Sequence, residues 1–413
     1  MASVPGRDKY RSFLHDEADS VQWRHGGPPT YDAVNQLFEE GRTKEWPEGS
    51  LEETVQNAIK TWEMEISHKV RLQDIKSINP EKFKLIVNGR EGLTGEETLK
   101  LGTYNALLKN SLPKEFQYYK VDEETFESSH EVFRSAFPRG FAWEVISVYS
   151  GPPLIAFKFR HWGIFQGPFK GHAPTGEKVE FFGLGTLKVH QSQNHKQAMK
   201  TLLNVQQKLM VALSRSEYTH ALGIASHVPQ FVLNEWPEGS LEETVQNAIK
   251  TWEMEISHKV RLQDIKSINP EKFKLIVNGR EGLTGEETLK LGTYNALLKN
   301  SLPKEFQYYK VDEETFESSH EVFRSAFPRG FAWEVISVYS GPPLIAFKFR
   351  HWGIFQGPFK GHAPTGEKVE FFGLGTLKLF AGLLKGPPIS ESQTGDEDIA
   401  QCSAKTHGCP FQK

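Results

Sequence analysis

Phe137-Pro-Arg-Gly-Phe-Ala-Trp-Glu-Val145 opens a segment that ends with Glu180-Phe-Phe-Gly183 and occurs a second time as residues 327–373. The segment contains three runs rich in β-branched and aromatic residues, separated by Gly/Pro-rich stretches typical of turns. Gly151-Pro152-Pro153 follows the first run, and Pro174-Thr175-Gly176 precedes the third. We therefore predict three antiparallel strands, over residues 141–150, 154–162 and 177–188.

The chain contains a long internal repeat. Residues 45–188 recur letter for letter as residues 235–378. A unit of this length is domain-sized, whereas solenoid repeats are shorter and diverge. Such identity indicates either a very recent duplication or a misassembled gene model. We predict an N-terminal helical or irregular segment over residues 1–44 and copy 1 over residues 45–188. A partly helical linker follows over residues 189–234, and copy 2 covers residues 235–378. Residues 379–413 form a short apolar segment with a disordered tail.

Helical patterns precede the strands in each copy. Ser50-Leu-Glu-Glu53 and Thr94-Gly-Glu-Glu97 have the capping-box pattern that begins a helix. An apolar stripe at helical spacing follows the first, the second helix is expected to run until Pro113, and residues 126–137 mark a third. Three helices followed by antiparallel strands predict an α+β domain with the helices on one face of the sheet.

The composition excludes several classes of protein. Lys+Arg 49 against Asp+Glu 52 leaves a net charge of -3, so the chain lacks the basic field of a nucleic-acid-binding protein. Its two cysteines, Cys402 and Cys409, are too few for the disulfide framework of a secreted fold. They also lack the further ligand residues of a zinc site. No segment has the apolar core of a signal peptide or a membrane span. We predict a cytoplasmic protein with no metal, cofactor, nucleic-acid partner or membrane association.

His161 is one candidate for acid/base chemistry. Side chains alternate along a strand, so His161 ends the row that contains Phe157 and Phe159. An imidazole there is suited to proton transfer near neutral pH. The alternative is a histidine whose ring nitrogen is satisfied by a backbone carbonyl at the strand end. The repeat of His161 in copy 2 is His351.

Glu144 is the second candidate, with Glu334 as its repeat. A carboxylate among apolar neighbours has its pKa raised by desolvation, which would make it a base. The alternative is a carboxylate paired with Arg160 or Lys158 across the strand ladder. The sequence does not align the faces of neighbouring strands, so both readings stay open.

Four segments of copy 1 resemble the SnoaL-like polyketide cyclase family of the nuclear transport factor 2-like fold: residues 129–138, 143–145, 155–160 and 174–183. More narrowly, residues 8–15, 23–29, 44–53, 61–65 and 408–410 are similar to the plant pathogen-related (pathogenesis-related family) proteins. The resemblance implies a cone-shaped, curved antiparallel sheet with N-terminal helices. In the family a further long strand follows the third. No such strand is recognisable after residue 188 or 378, so we expect the last strand of each copy to be missing.

Three hypotheses about function follow from the resemblance and the aromatic strands. The first is a non-enzymatic defence protein whose domains hold a small apolar molecule. The second is an isomerase or polyketide cyclase-like enzyme that transfers a proton next to a carbonyl. The third is a dimerising interaction module, with the two copies as an intramolecular pseudo-dimer. The expected pocket residues are Trp62, Tyr104, Phe141, Trp143, Phe157, Phe159 and Phe181, repeated as Trp252, Tyr294, Phe331, Trp333, Phe347, Phe349 and Phe371.

Overall fold

The computed structural model describes residues 8–14, 21–87, 90–109, 119–189, 235–277, 280–299 and 309–378, and the backbone of residues 400–403. The chain divides into two compact units. Unit 1 comprises Met1–Val148 and Phe157–Thr186, and unit 2 comprises Tyr149–Ala156 and Leu187–Lys413. Copy 1 therefore belongs mainly to unit 1, and copy 2 belongs to unit 2.

The helices of copy 1 begin at the predicted capping residues. The Ser50 side chain accepts a hydrogen bond from the Glu53 backbone N–H at 3.2 Å. The Glu53 carboxylate accepts from the Gly49 N–H at 2.7 Å, so only the serine half of the expected capping box forms. Thr94 and Glu97 form the complete box. The helices of unit 1 are α1 (Asp32–Gly41), α2 (Leu51–His68), α3 (Gly95–Leu101), α4 (Thr103–Leu108) and α5 (Phe126–Ala136), with 3-10 turns at Leu72–Asp74 and Val121–Glu123.

The prediction of one continuous second helix is wrong, because the helix is broken in the middle. Gly102 has a φ of 86° and separates α3 from α4. A Cβ at this position would lie 3.2 Å from the ring of Phe126. Glycine adopts this backbone conformation without steric cost, so the chain turns here and α5 packs close against the break. The tertiary contact decides this break, which the apolar spacing does not predict.

The three predicted strands of copy 1 form one sheet. They are β1 (Phe141–Val148), β2 (Leu154–Ile164) and β3 (Lys178–Lys188), in the order β1-β2-β3. Strands β1 and β2 are antiparallel, with Trp143 opposite His161 and Glu144 opposite Arg160. The register shifts between Val145 and Ser147, which marks a bulge. The aromatic side chains therefore lie on one face and the Glu144–Arg160 pair lies on the other.

Copy 2 repeats these elements and adds short strands. They are α6 (Leu241–His258), a 3-10 turn (Leu262–Asp264), β4 (Lys274–Val277), β5 (Leu283–Thr284), α7 (Gly285–Leu291), α8 (Thr293–Leu298), a 3-10 turn (Val311–Glu313), α9 (Phe316–Ala326), β6 (Phe331–Val338), β7 (Leu344–Ile354), β8 (Lys368–Lys378) and β9 (Ala400–Ser403). The strand order is β5-β4-β9-β8-β7-β6. Helices followed by a largely antiparallel sheet confirm the mixed α+β class, and the cone shape stays a prediction.

The expected absence of a last strand does not hold for copy 2. Strand β9 pairs antiparallel with β8, with Gly375 opposite Cys402, and parallel with β4, with Ile276 opposite Gln401. Residues 400–403 lie in the tail predicted to be disordered. Their backbone supplies hydrogen bonds to two sheet edges that would otherwise be unpaired, a contact that composition does not predict.

A helix covers the aromatic face of the sheet in copy 2. One buried cluster combines Val245 of α6 with Trp333, Val335, Ile345, Phe347 and Phe349 of the sheet. The aromatic face therefore points toward the helix layer, as expected for an α+β domain. Among the helices of the described ranges, none is long and apolar enough to cross a membrane. The helix predicted within the linker, from residue 190 onward, and most of residues 379–413 lie outside the described residues.

Candidate functional site

The sheet of copy 1 brings a row of predicted pocket residues together. Trp143 stacks on Phe159 with ring centres 5.5 Å apart, and Phe141 and His161 meet edge to face at 4.6 Å. Phe157 lies 5.9 Å from Trp143, and Phe181 lies 5.3 Å from His161. We call these six residues the aromatic row. Phe181 is 39% exposed, so one end of the row is open to solvent.

The glycines of β3 allow the rings of β2 to lie against that strand. A Cβ on Gly183 would lie 2.3 Å from the Phe159 ring, and one on Gly185 would lie 2.5 Å from the Phe157 ring. Real Cβ atoms do not approach so closely, so a side chain at either position would push the ring away. The Phe-Phe-Gly-Leu-Gly sequence of β3 therefore shapes the aromatic row.

Copy 2 repeats the aromatic row with almost the same geometry. Trp333 stacks on Phe349 at 5.6 Å, Phe331 meets His351 at 4.5 Å, and His351 lies 5.2 Å from Phe371. Phe347 lies 5.9 Å from Trp333. The rings of the row all belong to the repeated sequence, which explains why the two copies agree.

A chain of ring contacts extends from the aromatic row to a helix residue. Phe141 contacts Phe137 at 4.9 Å, Phe137 contacts Phe133 at 6.4 Å, and Phe133 stacks on Tyr104 at 4.3 Å. Burial raises the pKa of the Tyr104 hydroxyl to about 12, and the negative charge of Glu63 contributes. Tyr104 thus remains a neutral hydrogen-bonding group at the helix end of this path. Its repeat, Tyr294, stacks on Phe323 at the same 4.3 Å.

Trp62 lies apart from these rings. Its ring centre lies 6.3 Å from that of Phe83, and it packs beside the apolar cluster of Ile66, Ile75 and Leu99. Trp252 has the same relationship with Phe273 at 6.3 Å. The indole nitrogens of both tryptophans are buried without a hydrogen-bond partner in this structure. Helical spacing identifies both as interior residues but does not specify which ring cluster they join.

Glu144 is buried and held by several donors. Its carboxylate accepts hydrogen bonds from the Thr43 N–H, the Thr43 hydroxyl and the Lys44 N–H, the last at 2.7 Å. Arg160 lies 3.4 Å away on the opposing strand, and Glu334 lies 3.1 Å from Arg350 in copy 2. This is the cross-strand pairing that the sequence left open as the alternative. The contacts give Glu144 a positioning role, since it fixes residues 43 and 44 to the sheet.

His161 and His351 are held by backbone carbonyls. His161 Nε2 lies 3.2 Å from the Phe141 carbonyl oxygen, and His351 Nε2 lies 3.3 Å from that of Phe331. Burial lowers the pKa of His351 to about 4, although the hydrogen bond to Phe331 opposes the shift. His351 is therefore neutral at pH 7 and donates its ring N–H to the carbonyl. The carbonyl-bound alternative describes both histidines.

Glu63 of α2 is an ionisable residue that the sequence reasoning missed. Burial raises the pKa of its carboxyl to about 7, against the opposing charges of Arg11 and Lys60. Burial likewise raises the pKa of Glu253 to about 7. Glu63 and Glu253 are both half-buried residues. Spacing from Ile59 and Ile66 on the apolar stripe is the signal that could have placed Glu63 inside.

Lys60 lies one turn before Glu63 and is 2% exposed. Its Nζ is 3.1 Å from the centre of the Phe38 ring and has no hydrogen-bond partner in this structure. Burial lowers the pKa of Lys60 to about 6, and the positive charge of Arg11 adds to the effect. Within the described ranges, no cluster of His, Cys, Asp or Glu is suited to bind a metal ion. Glu63, Lys60 and Tyr104 each carry a group that hydrogen-bonds and exchanges a proton.

A curated protein of Hordeum vulgare, called Pathogen-related protein, is 57% identical to this chain over 188 residues. The match covers 80% of that protein and 45% of this chain. The chain belongs to the pathogen-related protein family. This confirms the similarity drawn from segments such as residues 44–53 and 61–65. No protein-family model matches the chain.

Solved structures resemble this family member only distantly. A protein assigned as a SnoaL-like polyketide cyclase from Jannaschia sp. CCS1 is 14% identical, with a TM-score of 0.19, and covers 41% of this chain and 90% of its own. A protein assigned as a polyketide cyclase from Acidithiobacillus ferrooxidans is 9% identical, with a TM-score of 0.21, covering 41% and 89%. TM-scores this low carry no argument about the fold or the reaction of the pathogen-related chain.

Proposed function

We propose that each copy of this pathogen-related protein binds a small, largely apolar molecule, and that the protein acts in plant defence without catalysing a reaction. The aromatic row supplies an extended apolar surface, with its Phe181 end open. The ring contacts lead from that surface to Tyr104, which interacts electrostatically with Glu63. An apolar surface that ends at a few polar groups is the usual composition of a small-molecule site.

The observation that carries the proposal is the chain of ring contacts from the aromatic row to Tyr104, whose hydroxyl interacts electrostatically with Glu63. A carboxyl with a pKa of about 7 donates a hydrogen bond when protonated and accepts one when ionised. It would therefore orient a ligand that has one polar end. The ligand class is an apolar molecule with a single carbonyl or hydroxyl group.

Native mass spectrometry of the full chain, isolated without denaturation, tests the proposal first. We expect up to two equivalents of retained small molecule, one for each copy. Tryptophan fluorescence then follows titration with apolar plant metabolites, and the Trp143→Phe, Trp333→Phe double variant should lose the signal change while it keeps the affinity. Absence of saturable binding by any such metabolite would contradict the proposal. The Ile86→Ala variant is the control, since Ile86 is 57% exposed and lies outside the aromatic row.

A second candidate function is proton transfer next to a carbonyl. The pKa of about 7 at Glu63 favours this function, because a general base works best when its pKa is near the operating pH. Glu144 and His161 stay predictions for this role, but their hydrogen bonds hold both groups in the sheet. The test is incorporation of deuterium from D2O into a bound carbonyl ligand. Turnover that persists in the Glu63→Gln, Glu253→Gln double variant would exclude Glu63 and Glu253 as the bases.

A further inference from the structure

The outer face of α6 is exposed, whereas the identical face of α2 is covered. Met64 is 0% exposed and Met254 is 51% exposed. Thr61 is buried, and its repeat Thr251 is exposed. Because the two helices have the same sequence, the difference comes from what packs against them. We call this surface the open α6 face, formed by the half-buried Lys250, the exposed Thr251, Met254 and His258, and the exposed Val260 just beyond the helix.

In copy 1 this face is covered by the N-terminal segment, described at residues 8–14 and 21–44. The segment is attached by backbone hydrogen bonds. They run from the Ser12 N–H to Thr61 Oγ1 at 3.0 Å, from the Arg24 N–H to the His68 carbonyl at 2.9 Å, and from the Val70 N–H to the Gln22 carbonyl at 3.0 Å. These bonds follow the helix and the chain beyond it, so the described parts of the segment lie against copy 1 between Thr61 and Val70.

Aromatic side chains of the segment complete the cover. Phe38 and Tyr10 lie over Lys60 Nζ, with ring centres 3.1 and 4.2 Å away, and Trp23 lies 5.4 Å from Lys69 Nζ. These rings cover the two lysine amines from solvent, since Lys60 is 2% exposed and Lys69 is 0% exposed. Met64 lies on the same helix face as Lys60, because residues four apart are neighbours on a helix.

The segment occurs once in the sequence. Residues 1–44 precede copy 1, and the residues before copy 2, 189–234, have a different sequence. Copy 2 therefore has the same helix sequence without this segment. Copy 1 shows which kind of segment fits that helix. Val260 is 92% exposed, compared with 37% for Val70, which shows how much apolar surface the segment covers.

We propose that the open α6 face is a docking site for a polypeptide segment with the chemistry of residues 8–44, carried by another protein. Such a segment places aromatic rings over Lys250 and an extended backbone beside residues 258–260. This interaction is separate from ligand binding at the aromatic row.

The tether of the chain's own segment favours another protein as the occupant. Residue 44 is joined directly to Glu45 of copy 1. A short tether gives an effective concentration in the millimolar range, so the segment stays on copy 1 at lower protein concentrations. Exchange of the segment between two chains would create no additional contacts, because every chain has one segment and two faces.

A synthetic peptide of residues 8–44, labelled at its N-terminus, tests the proposal by fluorescence anisotropy with the full chain. We expect saturable binding of one equivalent. The Met254→Glu variant should weaken binding at least tenfold, because docking would bury the new carboxylate. The Ile86→Glu variant adds the same charge at an exposed apolar position of copy 1 and should leave binding unchanged. A scrambled peptide controls for general adhesion.

Two results would overturn the proposal. The first is absence of saturable binding, or equal affinity of the peptide for the Met254→Glu and Ile86→Glu variants. The second is concentration-dependent dimerisation of the full chain in sedimentation that the peptide and the Met254→Glu substitution both abolish. That result would assign the open α6 face to a second copy of this chain.

Discussion

Lys60 and Lys250 occupy the same position in two identical helices, yet Lys60 is 2% exposed beneath Phe38 while Lys250 keeps contact with solvent. Burial lowers the pKa of Lys60 to about 6, and for Lys250 burial lowers the pKa as well. The difference in exposure arises from the N-terminal segment, because the repeated sequence is the same. Each copy therefore provides a matched control for substitutions in the other.

The Lys60→Met substitution should stabilise the chain at pH 7. The Lys60 amine is buried without a hydrogen-bond partner, and methionine fills similar space without that cost. We expect an increase of about 1 to 3 kcal/mol in the free energy of unfolding of unit 1. Calorimetric unfolding measures the change. Lys250→Met is the control and should have an effect within about 0.5 kcal/mol. Equal gains from both substitutions would contradict the assignment of the cost to burial.

The stability of the folded chain should change with pH because of Glu63. Burial raises the pKa of Glu63 from 4.5 to about 7, so in this window the folded chain holds a proton that the unfolded chain has released. The contribution of Glu63 is fully present below pH 4.5 and is lost as the pH rises through 7. Lys60 acts in the opposite sense, since its stability contribution rises with pH from about 6 to 10.5.

The Glu63→Gln, Glu253→Gln double variant separates these two contributions. Glutamine resembles the protonated carboxyl and does not titrate, so the decrease in stability between pH 4.5 and 7 should become smaller. Thermal unfolding across this range is the measurement. The Glu52→Gln variant controls for loss of a charge in the first turn of α2. An unchanged pH profile in the double variant would show that neither carboxyl is desolvated.

The Glu144→Ala substitution should release the N-terminal segment. It removes the acceptor of the Thr43 and Lys44 backbone N–H groups and one of the two carboxylates that pair with Arg160, which keeps Glu180 at 2.7 Å. Leaving these buried N–H groups without an acceptor costs about 1 to 3 kcal/mol. We expect faster tryptic cleavage within residues 8–44, with a smaller effect for Glu144→Gln, which keeps an acceptor oxygen. Unaltered cleavage would mean that other contacts hold the segment.

The Gly183→Ala and Gly373→Ala substitutions should have equal effects. A Cβ at either position would lie 2.3 Å from a phenylalanine ring of the aromatic row. Displacing the ring costs about 1 to 3 kcal/mol, as is usual for added atoms in a packed interior. Calorimetric unfolding of each single variant is the measurement. Gly27→Ala is the control, since Gly27 lies outside the left-handed region and its Cβ would meet nothing within 4 Å. Unequal losses would show that the two rows differ.

Much of the local structure follows from short-range sequence patterns. The three strands of copy 1, the helix starts at residues 50, 94 and 125, and the shared face of the aromatic row depend on residue spacing and capping, which act over a few residues. The pairing of Glu144 with Arg160 was predicted only as an alternative, because register depends on contacts between strands.

The sequence by itself determined the α+β class, the membership of the pathogen-related family and the identity of the two copies, since these depend on residue order alone. Only the tertiary structure decided the break at Gly102, the pairing of β9 and the desolvation of Lys60 and Glu63. The exposure of Met254 is the clearest case, because Met64 has the same local sequence and is fully buried. Burial and pKa depend on chain segments distant in sequence, so identical sequences acquire different surfaces when one has the N-terminal segment against it.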